Sequence, residues 1–274
     1  LLNDENELNR IKALFKKYCM DISALSCHGN PISPDPQIAK QAHEDFVDAC
    51  ELANKLNIDT IITFSGCPGG SEVDTIPNWI TCPWPDEYAI AYKYQWEEVL
   101  IPYWKSVVPI LEKYNLKVAI EIHPGFCVYN TSTMLRLRRE VGSDRIGVNF
   151  DPSHLFWQQI DPIDAINELR ECIYHFHAKD TQLNSTNIRK NGVLDNSSYG
   201  DINERSWVFK TVSYGQGELI WKQMLNKLRD VGYDGAISIE HEDGTMSTME
   251  GLEKAIDFLN SIIIREKTGE AWWY

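Results

Sequence analysis

The chain has 274 residues, 43% of them apolar, enough for one large core in a single domain of about 250 residues. A net charge of −14 opposes a phosphate backbone, whose binding depends on clustered Lys and Arg, so no nucleic-acid partner is expected. No apolar run reaches the roughly 18 residues of a membrane span, so no membrane partner is expected either. The seven cysteines are dispersed, odd in number and without CxxC spacing, which argues for reduced thiols in a cytoplasm.

In chain order, short runs rich in Ile, Val or Phe stand at residues 22–27, 60–64, 118–122, 146–150, 173–176 and 236–239, each too short for a helix. Helical segments lie between them. Asp35 with Pro36, and Asp161 with Pro162, put proline in a first helical turn, and residues 247–250 read as a capping box. Residues 86–115 are periodic but contain Pro102 and Pro109, which predicts a long helix that bends or breaks there. Alternating strands and helices make parallel sheets. A (β/α)8 TIM barrel needs eight strands, whereas six are visible and the chain opens at Leu1 on a helix. The expectation is therefore one barrel domain over residues 1–274, N-terminally incomplete, with its first two strands preceding Leu1. A six-stranded open α/β sheet is the alternative.

The chemistry gathers where each strand runs out. Six of the seven histidines lie there: His28, His123, His154, His175, His177 and His241. In a parallel barrel the carboxyl ends of the strands share one face, so these positions converge. Side chains alternate along a strand, which pairs Glu121 with His123, Asn149 with Asp151, His175 with His177, and Ser238 with Glu240. A single strand-end Asp would usually be a helix cap, and a single His a hydrogen-bonded core residue. Four such groups on successive strand ends need compensation inside an apolar barrel, and one divalent cation compensates several at once. Glu121, Asp151, His177 and Glu240 form a mixed oxygen and nitrogen set with no thiolate to force zinc. Mn²⁺ is the expected cation, with Mg²⁺, Co²⁺ or Zn²⁺ compatible.

The runs SCHGNPISPD, TFSGCPGG, EIHPGFCVYN, NFDPSHLFWQ, HFHAKDT and SIEHED resemble the sugar phosphate isomerase/epimerase family of xylose-isomerase-like barrels over essentially the whole chain. The resemblance implies one divalent metal on Glu121, Asp151, His177 and Glu240, the two glutamates also moving the proton. One departure stands out: an acid and an Arg commonly follow the metal-binding His in keto-sugar epimerases, where this chain has Lys179 and Asp180. EIHPG and DPSHLFW are also similar to the catalytic subunit of bacterial C-glycoside deglycosidases, which implies proton transfer by His123, cleavage of a 3-oxo-glucoside and a small β-rich partner subunit. An oligomer is expected.

Both chemistries begin with removal of a proton α to a carbonyl while a Lewis acid lowers the energy of an enediolate. Glu121, His123 and Glu240 are the candidate acids and bases for a keto-sugar or glycoside substrate. His28, His154, Trp157, Lys179, Arg189 and Trp84 are the candidate substrate contacts. Lys179 has the alternative of a structural pair with Asp180 or Asp151, His154 that of an outer hydrogen bond, and His175 that of a core histidine beneath the metal. Two long segments are expected to shape the pocket. Residues 65–86 carry Trp79 and Trp84, and residues 181–217 carry Arg189, Tyr199, Trp207 and Tyr214. The closing Trp272, Trp273 and Tyr274 are apolar enough to dock on a neighbour or on the barrel. Competing classes are a metal-dependent endonuclease, which the acidic balance opposes, and a noncatalytic sugar-binding protein, which has little use for focused glutamates and histidines.

Overall fold

A computed structural model describes residues 1–266, Gly269 and Trp273. Helix α1 (Glu5–Lys17) is capped by Asp4, whose carboxylate accepts from the Glu7 N–H. Strand β1 (Leu25–Ser26) leads to α2 (Pro36–Leu56), where Asp35 accepts from the backbone of Gln37 and Ile38 ahead of the proline. After β2 (Thr60–Phe64) come α3 (Asp86–Lys93), a π-helical turn (Tyr94–Leu100) and α4 (Ile101–Tyr114). Then follow β3 (Lys117–Glu121), α5 (Thr131–Val141), β4 (Ile146–Phe150), α6 (Pro152–Trp157), α7 (Pro162–Leu169) and β5 (Ile173–Ala178). The hairpin strands β6 (Asp180–Leu183) and β7 (Trp207–Lys210) enclose α8 (Ser185–Asn191), and α9 (Glu218–Asp230), β8 (Ile237–Ile239) and α10 (Thr248–Ile262) complete the order.

Six strands pair in parallel in the order β1-β2-β3-β4-β5-β8, six of the eight that close a TIM barrel. The outer edges of β1 and β8 carry no partner strand among the described residues. The sheet nevertheless curls. Ser23, just before β1, and Ser238, on β8, approach the same Nε2 of His175, at 3.4 and 3.1 Å. Register levels the strand ends, with Phe64 opposite Glu121, Glu121 opposite Asn149, and His177 opposite Ser238. A β-bulge between Val148 and Asn149 shifts the pairing so that Asn149 meets His175. Gly147 sits at the close approach behind this bulge, where a Cβ would lie 2.3 Å from the Tyr174 ring. The core fills with Ile, Val and Leu from the strands and with Trp96, Trp104 and Trp221 from the helices, all three buried.

All six expected strands are present with adjusted ends. The first shortens from residues 22–27 to two residues, and the fifth extends through Ala178 to carry His177 within the strand. The segment 86–115 stays helical. Its irregularity falls just before Pro102 as the π turn, while Pro109 stands inside α4. The β6–β7 hairpin and α8 emerge from a segment read only as a long loop. Ser247 caps α10 by accepting from the Glu250 N–H at 3.3 Å. Trp272 and Tyr274 lie outside the described residues, and Trp273 is largely exposed. Among the described residues no helix is long and apolar enough to cross a membrane.

Asp180 locks the hairpin to the barrel. Its buried carboxylate accepts from the backbone N–H of Thr181 at 2.7 Å, Gly215 at 3.1 Å and Gln216 at 3.2 Å, and from Trp221 Nε1 at 2.9 Å. Asp180→Ala strands these donors away from water and should cost roughly 2–4 kcal/mol, read as a lower urea midpoint at an unchanged slope. An unaltered midpoint would show that water replaces the carboxylate.

Candidate metal centre

At the carboxyl ends of β3, β4, β5 and β8, one ligand atom each from Glu121, Asp151, His177 and Glu240 lies within 4.8 Å of the others. His177 Nδ1 stands 3.0 Å from Glu240 Oε2 and 3.5 Å from Glu121 Oε2. Asp151 divides its oxygens between two tasks. One accepts from the Ser153 N–H at 2.8 Å and caps α6, whereas Oδ2 turns toward the cluster. The helix-cap reading of this residue is met by one oxygen, and the other stays available to the cluster.

Lys179 is buried at the same point. Its Nζ lies 3.2 Å from Asp151 Oδ2, 3.1 Å from Glu240 Oε2 and 3.2 Å from Glu242 Oε2, and 4.7 Å from the Phe209 ring centroid. Its structural partner is therefore Asp151 together with two glutamates. Asp180 belongs to the hairpin contacts instead. Burial opposes charge on Lys179, but Asp151, Glu240 and Glu242 raise its pKa further than burial lowers it. The same balance acts on the acids. Burial would raise Glu121, yet the imidazoles of His154 and His28 hold it well below the usual carboxylate range. Burial likewise opposes ionisation of Glu240, which His177 and Lys179 bring down to about 2. For His177 burial disfavours the charged ring, and Glu240, Glu121 and Asp151 overcome it and raise the pKa.

The cluster has the features of a cation site. Asp151 Oδ2, His177 Nδ1 and Glu240 Oε2 are buried without a hydrogen-bond partner, although charged neighbours stand within 3.2 Å of each. Their contacts are close but misdirected for hydrogen bonding. Carboxylates outnumber the single Lys179 ammonium at this point, an excess of negative charge that a cation would offset. The oxygen and nitrogen donors suit Mn²⁺, Mg²⁺, Co²⁺ or Zn²⁺. A second set, Glu121 with His123 and His154, shares one ligand with the first.

A buried chain of polar groups supports Glu121. Asn149 Nδ2 donates to Glu121 Oε2 at 3.1 Å, which turns Asn149 Oδ1 toward His175 Nδ1 at 3.1 Å. His175 Nδ1 therefore carries the proton, and Nε2 accepts from Ser238. Burial, with His177 nearby, lowers His175 to about 4, so this ring is neutral. His175 is the core histidine beneath the ligands. Sequence reasoning paired Asn149 with Asp151 on one strand face but gave it no role.

His28 stacks on Phe64 at 4.4 Å and its Nε2 lies 3.7 Å from Glu121 Oε2. His154 Nε2 lies 3.4 Å from Glu121 and 3.5 Å from Asp151. His123 Nδ1 is committed to the Pro124 carbonyl at 2.6 Å, which leaves Nε2 as the free nitrogen. Burial, then His154 beside it, lowers His123 to about 4. Outward from these rings opens a cavity of about 520 Å³. His123 and His154 line it, as do Trp79 and Thr81 from the segment 65–86, Trp157 from α6, and Tyr199, Trp207 and Phe209 from the hairpin region. Trp157 stacks on Trp207 at 4.7 Å with planes 5° apart.

Two candidate contacts fall elsewhere. Trp84 is 72% exposed, on the far arm of the loop that places Trp79 in the wall. Arg189 lies on the solvent side of α8, its Nη2 3.4 Å from Thr186 Oγ1. Tyr214 is half-exposed against Lys254 at 3.3 Å. Phe209 and Glu242 were missed. An alternating WVFK strand ahead of a glycine turn was the available signal for Phe209, whereas nothing local marked Glu242.

A parallel β/α sheet with acids and imidazoles on its carboxyl face defines a TIM-barrel site of the metal-binding kind. The chain belongs to the xylose isomerase-like TIM barrel family, whose model matches residues 2–262. It is 37% identical over 267 residues to the uncharacterized protein YfiH of Bacillus subtilis (strain 168), covering 96% of this chain and 84% of that protein. The fold is similar to 3-keto-D-glucoside 4-epimerase YcjR from E. coli, with a TM-score of 0.65 at 11% identity over 93% of this chain and 85% of that one. It is also similar to the IOLI protein solved with a zinc atom, with a TM-score of 0.64 at 15% identity over 94% and 82% of the two chains.

Asp151→Asn or His177→Ala should abolish stoichiometric binding of Mn²⁺ while far-ultraviolet circular dichroism stays that of a folded barrel, because the core supplies most of the stability. Full metal content in both variants would remove these residues from the ligand set. Asn149→Ala, which frees Glu121 to rotate, should weaken Mn²⁺ about 10- to 100-fold by calorimetric titration.

Proposed function

We propose that this chain is a divalent-metal-dependent sugar isomerase or epimerase that moves a proton α to the carbonyl of a keto-sugar. The observation that carries this is the convergence of four potential ligand atoms within 4.8 Å beside His154, which together with the neutral ring of His123 lines the adjoining cavity. A cation held by Glu121, Asp151, His177 and Glu240, with Mn²⁺ first among the candidates, would supply Lewis-acid polarisation of the carbonyl. The residues provide the rest. Lys179 stands against Asp151 and Glu240 and favours the ionised form of Glu240. Glu240, about one-third exposed, and the free Nε2 of His123 are the groups within reach of a substrate proton, with Glu121 deeper. His28 and His154 stand beside Glu121, and in this reading they hold substrate oxygens. Membership of a xylose isomerase-like family and a fold neighbour named for a keto-glucoside support the substrate class.

One observation favours a second reading, cleavage of the carbon-carbon bond of a 3-oxo-C-glucoside. The cavity beside His123 is walled by Trp79, Trp157, Tyr199, Trp207 and Phe209, and among the described residues no Lys or Arg lines it. Its size suits a ligand larger than a free sugar, and its wall suits a flat apolar substituent rather than a phosphate.

The test is isotope exchange. The Mn²⁺-loaded protein in D₂O should introduce one deuterium into a ketohexose or a 3-oxo-glucoside, read by mass spectrometry, and absence of exchange in both would reject proton transfer. His123→Ala then separates the outcomes. Under epimerisation the glutamates serve as acid and base and turnover falls modestly, whereas under cleavage it falls roughly 10²- to 10⁴-fold. Metal content should be the same in both proteins.

A further inference from the structure

The helix between β2 and β3 carries a polar side chain that the site chemistry does not use. Gln95 is 2% exposed, and its Nε2 donates to the carbonyls of Pro68 at 3.1 Å, Gly69 at 3.2 Å and Asn78 at 2.6 Å. An amide has two N–H bonds, so three carbonyls saturate it and at least one bond is shared. These acceptors stand at the two ends of one loop, and Asn78 immediately precedes Trp79. The Asn78 N–H also returns to the Pro68 carbonyl at 3.0 Å, which closes the loop at its base.

The inward aim of Gln95 has a local origin. Pro102 has no N–H to give to the Glu98 carbonyl and its ring would press on it. The chain widens just before, and the Ile101 N–H reaches back to the Trp96 carbonyl, five residues earlier. In this turn Gln95 and its neighbour Trp96 are both buried. Trp96 enters the core, and Gln95 meets the loop. Trp79 then packs edge-on against Tyr129 at 5.3 Å and lines the cavity.

We propose that Gln95 is a positioning residue that acts through residues 68–78 to hold Trp79 in the cavity wall. It sets affinity for the part of a substrate lying against that wall and leaves the reacting end, at the metal centre, unaffected. The substrate half of this inference rests on the keto-sugar reading, while the positioning half does not.

Two measurements on the full chain decide it. Hydrogen exchange compares wild type with Gln95→Met, which fills the space and gives no donor, and with Gln95→Glu, which turns a carboxylate toward the same carbonyls. Both variants should speed exchange in residues 68–80 on the order of tenfold while strand β3 is unchanged. Calorimetry of the Mn²⁺-loaded proteins compares phenyl and methyl 3-oxo-β-D-glucoside. Wild type should prefer the phenyl compound by about tenfold, the scale of one aromatic contact. Gln95→Met should lose that preference, keep its affinity for the methyl compound, and add nothing in a Trp79→Ala background. Unchanged exchange in the loop, or equal weakening of both compounds, would overturn the proposal. If wild type binds neither compound, the keto-sugar reading falls and the exchange data alone decide whether Gln95 positions the loop.

Discussion

Three carboxylates gathered at one end of an otherwise apolar sheet set the terms for the rest of this molecule. Glu121 and Asp151 are almost wholly buried and Glu240 partly so. Unpaired charges there would cost several kcal/mol each. Lys179 compensates one, and the imidazoles of His177, His154 and His28 crowd the others. The remaining charge and the misdirected lone pairs are what a divalent cation would satisfy. Beneath them, the Asn149, His175 and Ser238 chain fixes Glu121 from behind, so the acid has one orientation rather than several.

Above this floor the architecture changes character. The floor is built on strands, whose register is set by backbone ladders, whereas the cavity walls come from the connections after them, two of which are long. One of these two is the β6–β7 hairpin, clamped by the buried Asp180 to the segment before α9, where a Cβ on Gly215 would lie 2.5 Å from the Thr181 backbone of β6. The other is the loop after β2, gripped by Gln95 from the π turn. Both are tied by buried side-chain hydrogen bonds to backbone, which lets loops hold aromatic rings in place. The division separates reaction from recognition: charged groups stand on the sheet, and flat apolar surface stands on the connections.

The six strands and the four residues that cluster at their ends were legible because each signal is local. A run such as IGVNFD states an apolar strand and the acid at its end, and the strand period alone places Glu121 with His123 on one face. The aromatic character of the two long connections was visible as composition. Which ring enters the cavity was not, since Trp79 and Trp84 are equivalent in sequence and only the hold on the loop at Pro68, Gly69 and Asn78 distinguishes them. Arg189 was misplaced for the same reason: a helix within the segment turns it to solvent.

The sequence by itself determined the parallel alternation of strands and helices, the face on which chemistry gathers and the residue types that meet there, because periodicity and strand-end position act over a few residues. Tertiary structure decided the bulge that brings Asn149 opposite His175, the hairpin that folds Phe209 over His154, and the assignment of Lys179 to Asp151, Glu240 and Glu242 while Asp180 turned to the hairpin and Trp221. Each of these joins residues about 25 or more positions apart. Their pairing follows from strand register and core packing, which no window of sequence a few residues wide contains.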